Sequence, residues 1–149
     1  MRIKILTLFF LLSLNGLIFG EEITYRKYIK PIFDSKCLSC HSKDSAPEYY
    51  AFKEEKEKWI SQGQGMRMDT YSHLIFYTAW MDTGALMRRL DDGKNTKDGK
   101  AGNMYKYLGS SEEERQRNLD IFKKWVGNWT LKRWNEITKE ELDKIKVLY

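Results

Sequence analysis

Apolar residues recur three and four positions apart in several separated blocks, and no strand-length stretch alternates convincingly, so the pattern predicts an all-α protein. Thr24 can cap a helix beginning at Tyr25, in which Tyr25, Tyr28, Ile29, Ile32 and Phe33 share a face. Pro31 interrupts that face and should kink the helix or start a second short segment, since its ring clashes with the preceding turn. Ser45 to Glu48 has the form of a capping box with proline near the first turn, which predicts a helix from Ala46 to Ile60. Its Tyr49, Tyr50, Phe52 and Trp59 read as core or pocket wall, and the mixed charges of Lys53 to Lys58 as a solvated face. Gln62 to Gly65 ends it. Asp69 can cap a third helix, Thr70 to Trp80, with Tyr71, Leu74, Ile75, Tyr77 and Thr78 as its apolar stripe.

A short helix is expected from Gly84 to Leu90. The following Asp91 to Gly102 has no apolar anchor, so it should be an exposed, mobile loop. Ser110 or Ser111, each with glutamate three residues on, caps a helix that buries Leu119, Phe122, Trp125 and Val126 and stops at Gly127. Thr138 to Glu141 opens a last helix running to the terminus, docked through Leu142, Ile145 and Leu148.

Residues 1–20 depart from this amphipathic pattern. Arg2 and Lys4 precede an apolar run from Ile5 to Leu14, then Asn15, Gly16 and a small residue at Gly20, the tripartite form of a secretory signal. An uncleaved membrane anchor is the rival, because Ile3 to Phe19 is almost long enough to cross a bilayer. Asn15 and Gly16 interrupt it. The chain of 149 residues therefore divides into a signal at 1–20, a domain at 21–127 and a helical extension at 128–149 packed on the same domain.

Loss of the signal lowers the basic side chains from 26 to 24 against 21 acidic ones, too even a balance for a nucleic-acid protein without a clustered basic face. Lys27, Lys30, Lys36 and Lys43 do gather near one motif. They read as a solvated face or as a means of steering an acidic redox partner.

That motif is Cys37-Leu38-Ser39-Cys40-His41, the CxxCH spacing of c-type haem attachment in an exported protein. Each cysteine would form a thioether to one vinyl group, and His41 would lie under the porphyrin as proximal iron ligand. A zinc site would need a tetrahedral set from only Cys37, Cys40, His41 and His73. A dithiol motif would want a βαβ setting, and a disulfide here would close a very small loop. One haem c would consume both cysteines, so the mature chain would have to be stabilised by packing around it.

The stretch Ile23 to Phe33 leading into CxxCH resembles the opening helix of single-haem class I type cytochromes c, including planctomycete-type and cbb3-type domains. Met68-Asp69-Thr70-Tyr71, Gly84 to Leu90, and Ser111 through Trp125-Val126-Gly127 resemble further pieces of that family, in the same order. The resemblance implies a small helical fold wrapped around one covalent haem, with the first and last core helices crossing beside it. Ser42 to Gln64 would be an inserted helix, and the residues after Gly127 an added extension. The matched segments nominate Pro31, Phe33, Met68, Tyr71, Leu86, Arg89 and Trp125 as haem-pocket residues.

A methionine just before the closing helix is the family's distal ligand, and that position falls on Met104, followed here by Tyr105 where the family usually has proline. Met104 also follows a loop and precedes a capped helix, which would let its thioether reach the face opposite His41. His73, Met87 and Met81 are the alternatives, then Met66 and Met68, then an open site. The resemblance implies an electron carrier rather than an enzyme, periplasmic or secreted, serving other redox proteins or a membrane oxidoreductase complex. A permanent haem subunit of such a complex, and a haem sensor or peroxidase-like protein with an open sixth position, are the alternatives. Trp129 and Trp134 are candidate partner contacts, with simple packing the other reading.

Overall fold

A computed structural model describes residues 21–149; the signal segment expected at 1–20 lies outside the described residues. Among them the chain is helical, with one isolated bridge between Gly127 and Ile145 and no strand. No described helix is long and apolar enough to cross a membrane.

The chain opens with a π-type turn, Tyr25–Ile29, capped by Thr24, whose side chain accepts from the Lys27 N–H. Helix α1, Lys30–Lys36, follows without a break, and Pro31 in its first turn needs no donor there. The proline therefore starts a segment and leaves no kink in one. Helix α2, Leu38–His41, is a single turn. The helix expected from Ala46 to Ile60 is divided into α3, Tyr49–Glu54, and α4, Lys56–Ser61, because Glu55 leaves helical geometry at φ −121°, ψ 40°. Of its expected inward face only Phe52 is buried, and Tyr50 is exposed. Helix α5, Tyr71–Thr78, is capped by Thr70 in place of Asp69, and α6 is Ala85–Leu90.

A 3₁₀ turn, Tyr105–Leu108, leads to α7, Glu112–Val126, capped by Ser111 and carrying Glu112, Glu113 and Glu114 at its positive end. Ile29, Leu74, Met87, Leu119, Trp125 and Val126 are fully buried where the opening turn, α5, α6 and α7 meet. Lys36 bonds Glu114 across the α1–α7 junction at 2.5 Å.

Two further expectations fail. The last helix, α8, is only Lys139–Leu142, started by the Thr138–Glu141 capping box. Beyond it the chain runs extended, since the unpaired terminal carbonyls of α7 capture it: Lys146 donates to the Val126 carbonyl (2.9 Å) and Val147 to that of Trp125 (3.0 Å). The segment Asp91 to Gly102 is also not a free loop. Its anchor is polar: Asp91 is fully buried, and the Asp92 side chain is 2% exposed.

Candidate functional site

The CxxCH turn hangs on the end of α1. Cys37 N–H donates to the Phe33 carbonyl (2.8 Å) as the last bond of α1. Its own carbonyl then accepts from Cys40 and His41, both at 3.1 Å. That second turn brings the two thiols and the imidazole onto one short helix, with Cys37 half-buried, Cys40 exposed and both thiols free. Burial, with Cys40 adding to it, pushes the Cys37 thiol up to about 12, so it stays protonated and is a poor thiolate for a dithiol redox couple. Among the described residues no three His, Cys, Asp or Glu side chains gather as a metal cluster, which deprives the zinc reading of its ligands.

His41 is oriented by two residues that the motif does not contain. Its Nδ1 lies 2.7 Å from the Met66 carbonyl, which can only accept, so Nδ1 carries the proton and Nε2 keeps its lone pair. Gly65 lies against the ring, where a Cβ would stand 2.8 Å from Cε1. Met68 N–H donates to the His41 carbonyl at 2.9 Å. A fixed imidazole with a free Nε2, beside two free thiols, fits covalent haem. The residues around Gly65 could have been suspected from the Gln62 to Gly65 run, which reads in sequence only as a helix stop.

Met104 sits partly buried against the core at the start of the 3₁₀ turn, and its backbone is pinned from both sides. Its N–H donates to the Arg89 carbonyl (3.0 Å) and its carbonyl accepts from Tyr107 (3.0 Å). Two residues earlier, Gly102 donates to the Asp91 carbonyl (2.8 Å). A Cβ at Gly102 would stand 2.3 Å from the Arg89 carbonyl oxygen, so only glycine can lie there.

The other candidate ligands are differently engaged. His73 is bonded through both nitrogens, Nδ1 with Thr70 Oγ1 (2.8 Å) and Nε2 with Glu48 Oε2 (3.1 Å). Arg67 bridges the same Glu48 and Asp69. Met66 and Met68 meet His41 through their backbones, Met66 by its carbonyl at Nδ1 and Met68 by its N–H at the His41 carbonyl. Met87 is fully buried in α6, and Met81 is exposed with its sulfur 3.8 Å from the Tyr50 hydroxyl.

Of the nominated pocket residues, Phe33, Met68 and Leu86 are buried in the core, whereas Pro31 and Arg89 are exposed, Arg89 donating to Asn103 Oδ1 at 3.1 Å. Tyr71 and Trp125 belong to an aromatic group with Tyr25 and Tyr149. Both also hold the chain end: the Tyr71 hydroxyl donates to the Val147 carbonyl (2.7 Å) and Trp125 Nε1 to that of Leu148 (2.8 Å).

A chain that is helical and strandless among its described residues, presenting this thiol and imidazole turn, is a single-haem cytochrome c: an electron-transfer protein with one covalently bound haem c. The chain belongs to the PccH cytochrome c family, whose model matches residues 24–149. Among solved structures it is similar to monoheme cytochrome PccH from Geobacter sulfurreducens, with 71% identity and a TM-score of 0.80, covering 87% of this chain and 100% of that one. No curated protein matches. Membership points to an electron carrier rather than an enzyme, with other redox proteins as its partners.

Proposed function

We propose that the protein is an exported carrier, periplasmic or secreted, that passes single electrons between redox partners. Cys37 and Cys40 would hold the haem by thioethers, His41 Nε2 would be the proximal ligand and Met104 the distal one. The haem supplies a one-electron couple. The observation that carries the reading is the 2.7 Å bond between His41 Nδ1 and the Met66 carbonyl, which commits one nitrogen and leaves the other for iron. Met104 is favoured because His73 is spent on Thr70 and Glu48 while the backbones of Met66 and Met68 are bonded to His41 itself. The segments at 68–71, 84–90 and 111–127 support a kinship with planctomycete-type and cbb3-type domains. Residues 1–20 would direct export, the domain would occupy 21–127, and 128–149 would be an extension packed on it.

No acid, base or nucleophile is required of the chain; it has to hold the ligands rigidly and exclude water from the iron. Ferric spectra test the assignment: the weak near-infrared sulfur-to-iron band should be present, and Met104→Ala should abolish it. Ready carbon monoxide binding by the unaltered ferrous protein would instead favour the sensor or peroxidase-like reading. Trp80 and Trp134, both exposed and in edge contact at 4.2 Å, favour a second reading as a permanent subunit of a larger oxidoreductase. Stoichiometric co-purification with such an enzyme would defeat the free-carrier reading.

A further inference from the structure

We propose that Asp91 and Trp129 are positioning residues that latch the distal loop, so that the segment beyond α7 controls how readily Met104 leaves the iron. The inference rests on Met104 being the distal ligand.

The loop from Asp91 to Asn103 has no buried hydrophobic side chain to hold it; polar groups order it, the buried Asp91 carboxylate foremost, with Asp92 and the Thr96 hydroxyl beside it. Asp91 Oδ1 accepts from the Gly93 N–H (2.8 Å) and the Asn95 N–H (3.2 Å), and Oδ2 from Asn95 Nδ2 (2.7 Å). The fourth donor comes from outside the loop: Trp129 Nε1, 38 residues on, at 2.8 Å from Oδ2. Asp91 is fully buried, so a lost donor there is not replaced by solvent without opening the loop. The Asp91 carbonyl also receives Gly102, and the Arg89 carbonyl receives Met104. The side chain thus folds the start of the loop, the backbone fixes its end on α6, and Trp129 ties both to the segment after Gly127. The indole N–H can only donate, and the Lys123 ammonium stands 5.8 Å from its ring centroid.

The test uses the intact holoprotein and imidazole as an external probe that binds ferric iron only where the sixth position is open. Trp129→Phe keeps the ring and removes the donor. It should raise the apparent imidazole affinity about tenfold, the scale of one unsatisfied buried group. Amide exchange at Gly93, Asn95, Gly102 and Met104 should accelerate by a similar factor while the α7 core amides keep their protection. Trp134→Phe, at an exposed indole of the same segment, should change neither.

Unchanged imidazole affinity and unchanged exchange in Trp129→Phe would overturn the latch, even with the sulfur-to-iron band assigned to Met104. If Met104→Ala leaves that band intact, the ligand assignment fails, and control of the sixth position by this latch fails with it; loop-selective exchange in Trp129→Phe then still reports the Asp91 anchor separately. Should Trp129→Phe not fold, the unaltered protein decides. Its Trp129 indole proton should exchange with the same opening free energy as the Gly102 and Met104 amides, and free exchange of that proton at an intact loop would overturn the proposal.

Discussion

The two sides of the site are built by opposite means. On the proximal side a five-residue motif carries the chemistry, and the rest of the chain adds one carbonyl at Met66 and one missing side chain at Gly65. On the side we propose as distal there is a lone methionine, Met104, and what fixes it comes from elsewhere: carbonyls 13 and 15 residues back, a buried carboxylate and an indole beyond the next helix. A ligand set that is local in sequence needs little scaffolding. A single residue delivered by a long connection needs a network, and its stability is set by the weakest member of that network.

Backbone overlap should separate the sides most strongly. Gly102→Ala forces a Cβ to 2.3 Å from the Arg89 carbonyl, where no side chain can move aside. It should cost about 3 kcal/mol in denaturant unfolding and remove the sulfur-to-iron band. Gly65→Ala meets a ring edge at 2.8 Å and should cost about 1–2 kcal/mol. It should also loosen the bond of His41 to Met66 and leave the 92–103 amides protected. If both variants opened the same amides, the two sides would be one cooperative unit and the contrast would fall.

Acid gives a milder separation. For Asp91, burial alone would raise the carboxyl, but the side-chain bonds from Asn95 and Trp129 and the backbone N–H groups of Asn95 and Gly93 outweigh it and hold the group below the ordinary range. Asp92 is held at about 2: burial opposes this, and Lys94, Gln116 and Lys123 prevail. Carboxyls depressed in the folded state stabilise it fully above their unfolded value of about 3.9, and that contribution is lost as pH falls through the folded value. The distal band should therefore fade between pH about 4 and 2, with faster exchange in the loop, before the α7 amides open. Smallest of all, Lys139→Ala breaks an exposed pair with Asp143 and should change stability by less than about 0.5 kcal/mol.

The same contrast explains what could be read in advance. α7 was legible at both ends, from Ser111 with its acidic first turn to Gly127, because caps act within a few residues. The capping box at Thr138 was likewise legible as a helix start. The length of that helix was not, since the chain after Leu142 answers to the terminal carbonyls of α7, through bonds that span 20 and 22 residues. Asp91 to Gly102 looked mobile because apolar residues are the usual anchors, and nothing local marks a carboxylate for burial. His41 stood out in its motif, whereas Gly65 and Met66, 24 and 25 positions further on, gain their roles only when the chain returns them to the ring.

The extended chain end has a kinetic side. Leu148 and Tyr149 offer their carbonyls to the Tyr25 and Arg26 amides at 2.8 and 3.1 Å, and Tyr149 stacks on Tyr25 at 5.9 Å between ring centroids. Contacts this distant in sequence close the largest loop in the described chain and so belong among the last to form. Until they do, the turn that leads into Cys37 and Cys40 is uncovered on one flank. The order of folding thereby leaves an interval in which those thiols remain open to modification.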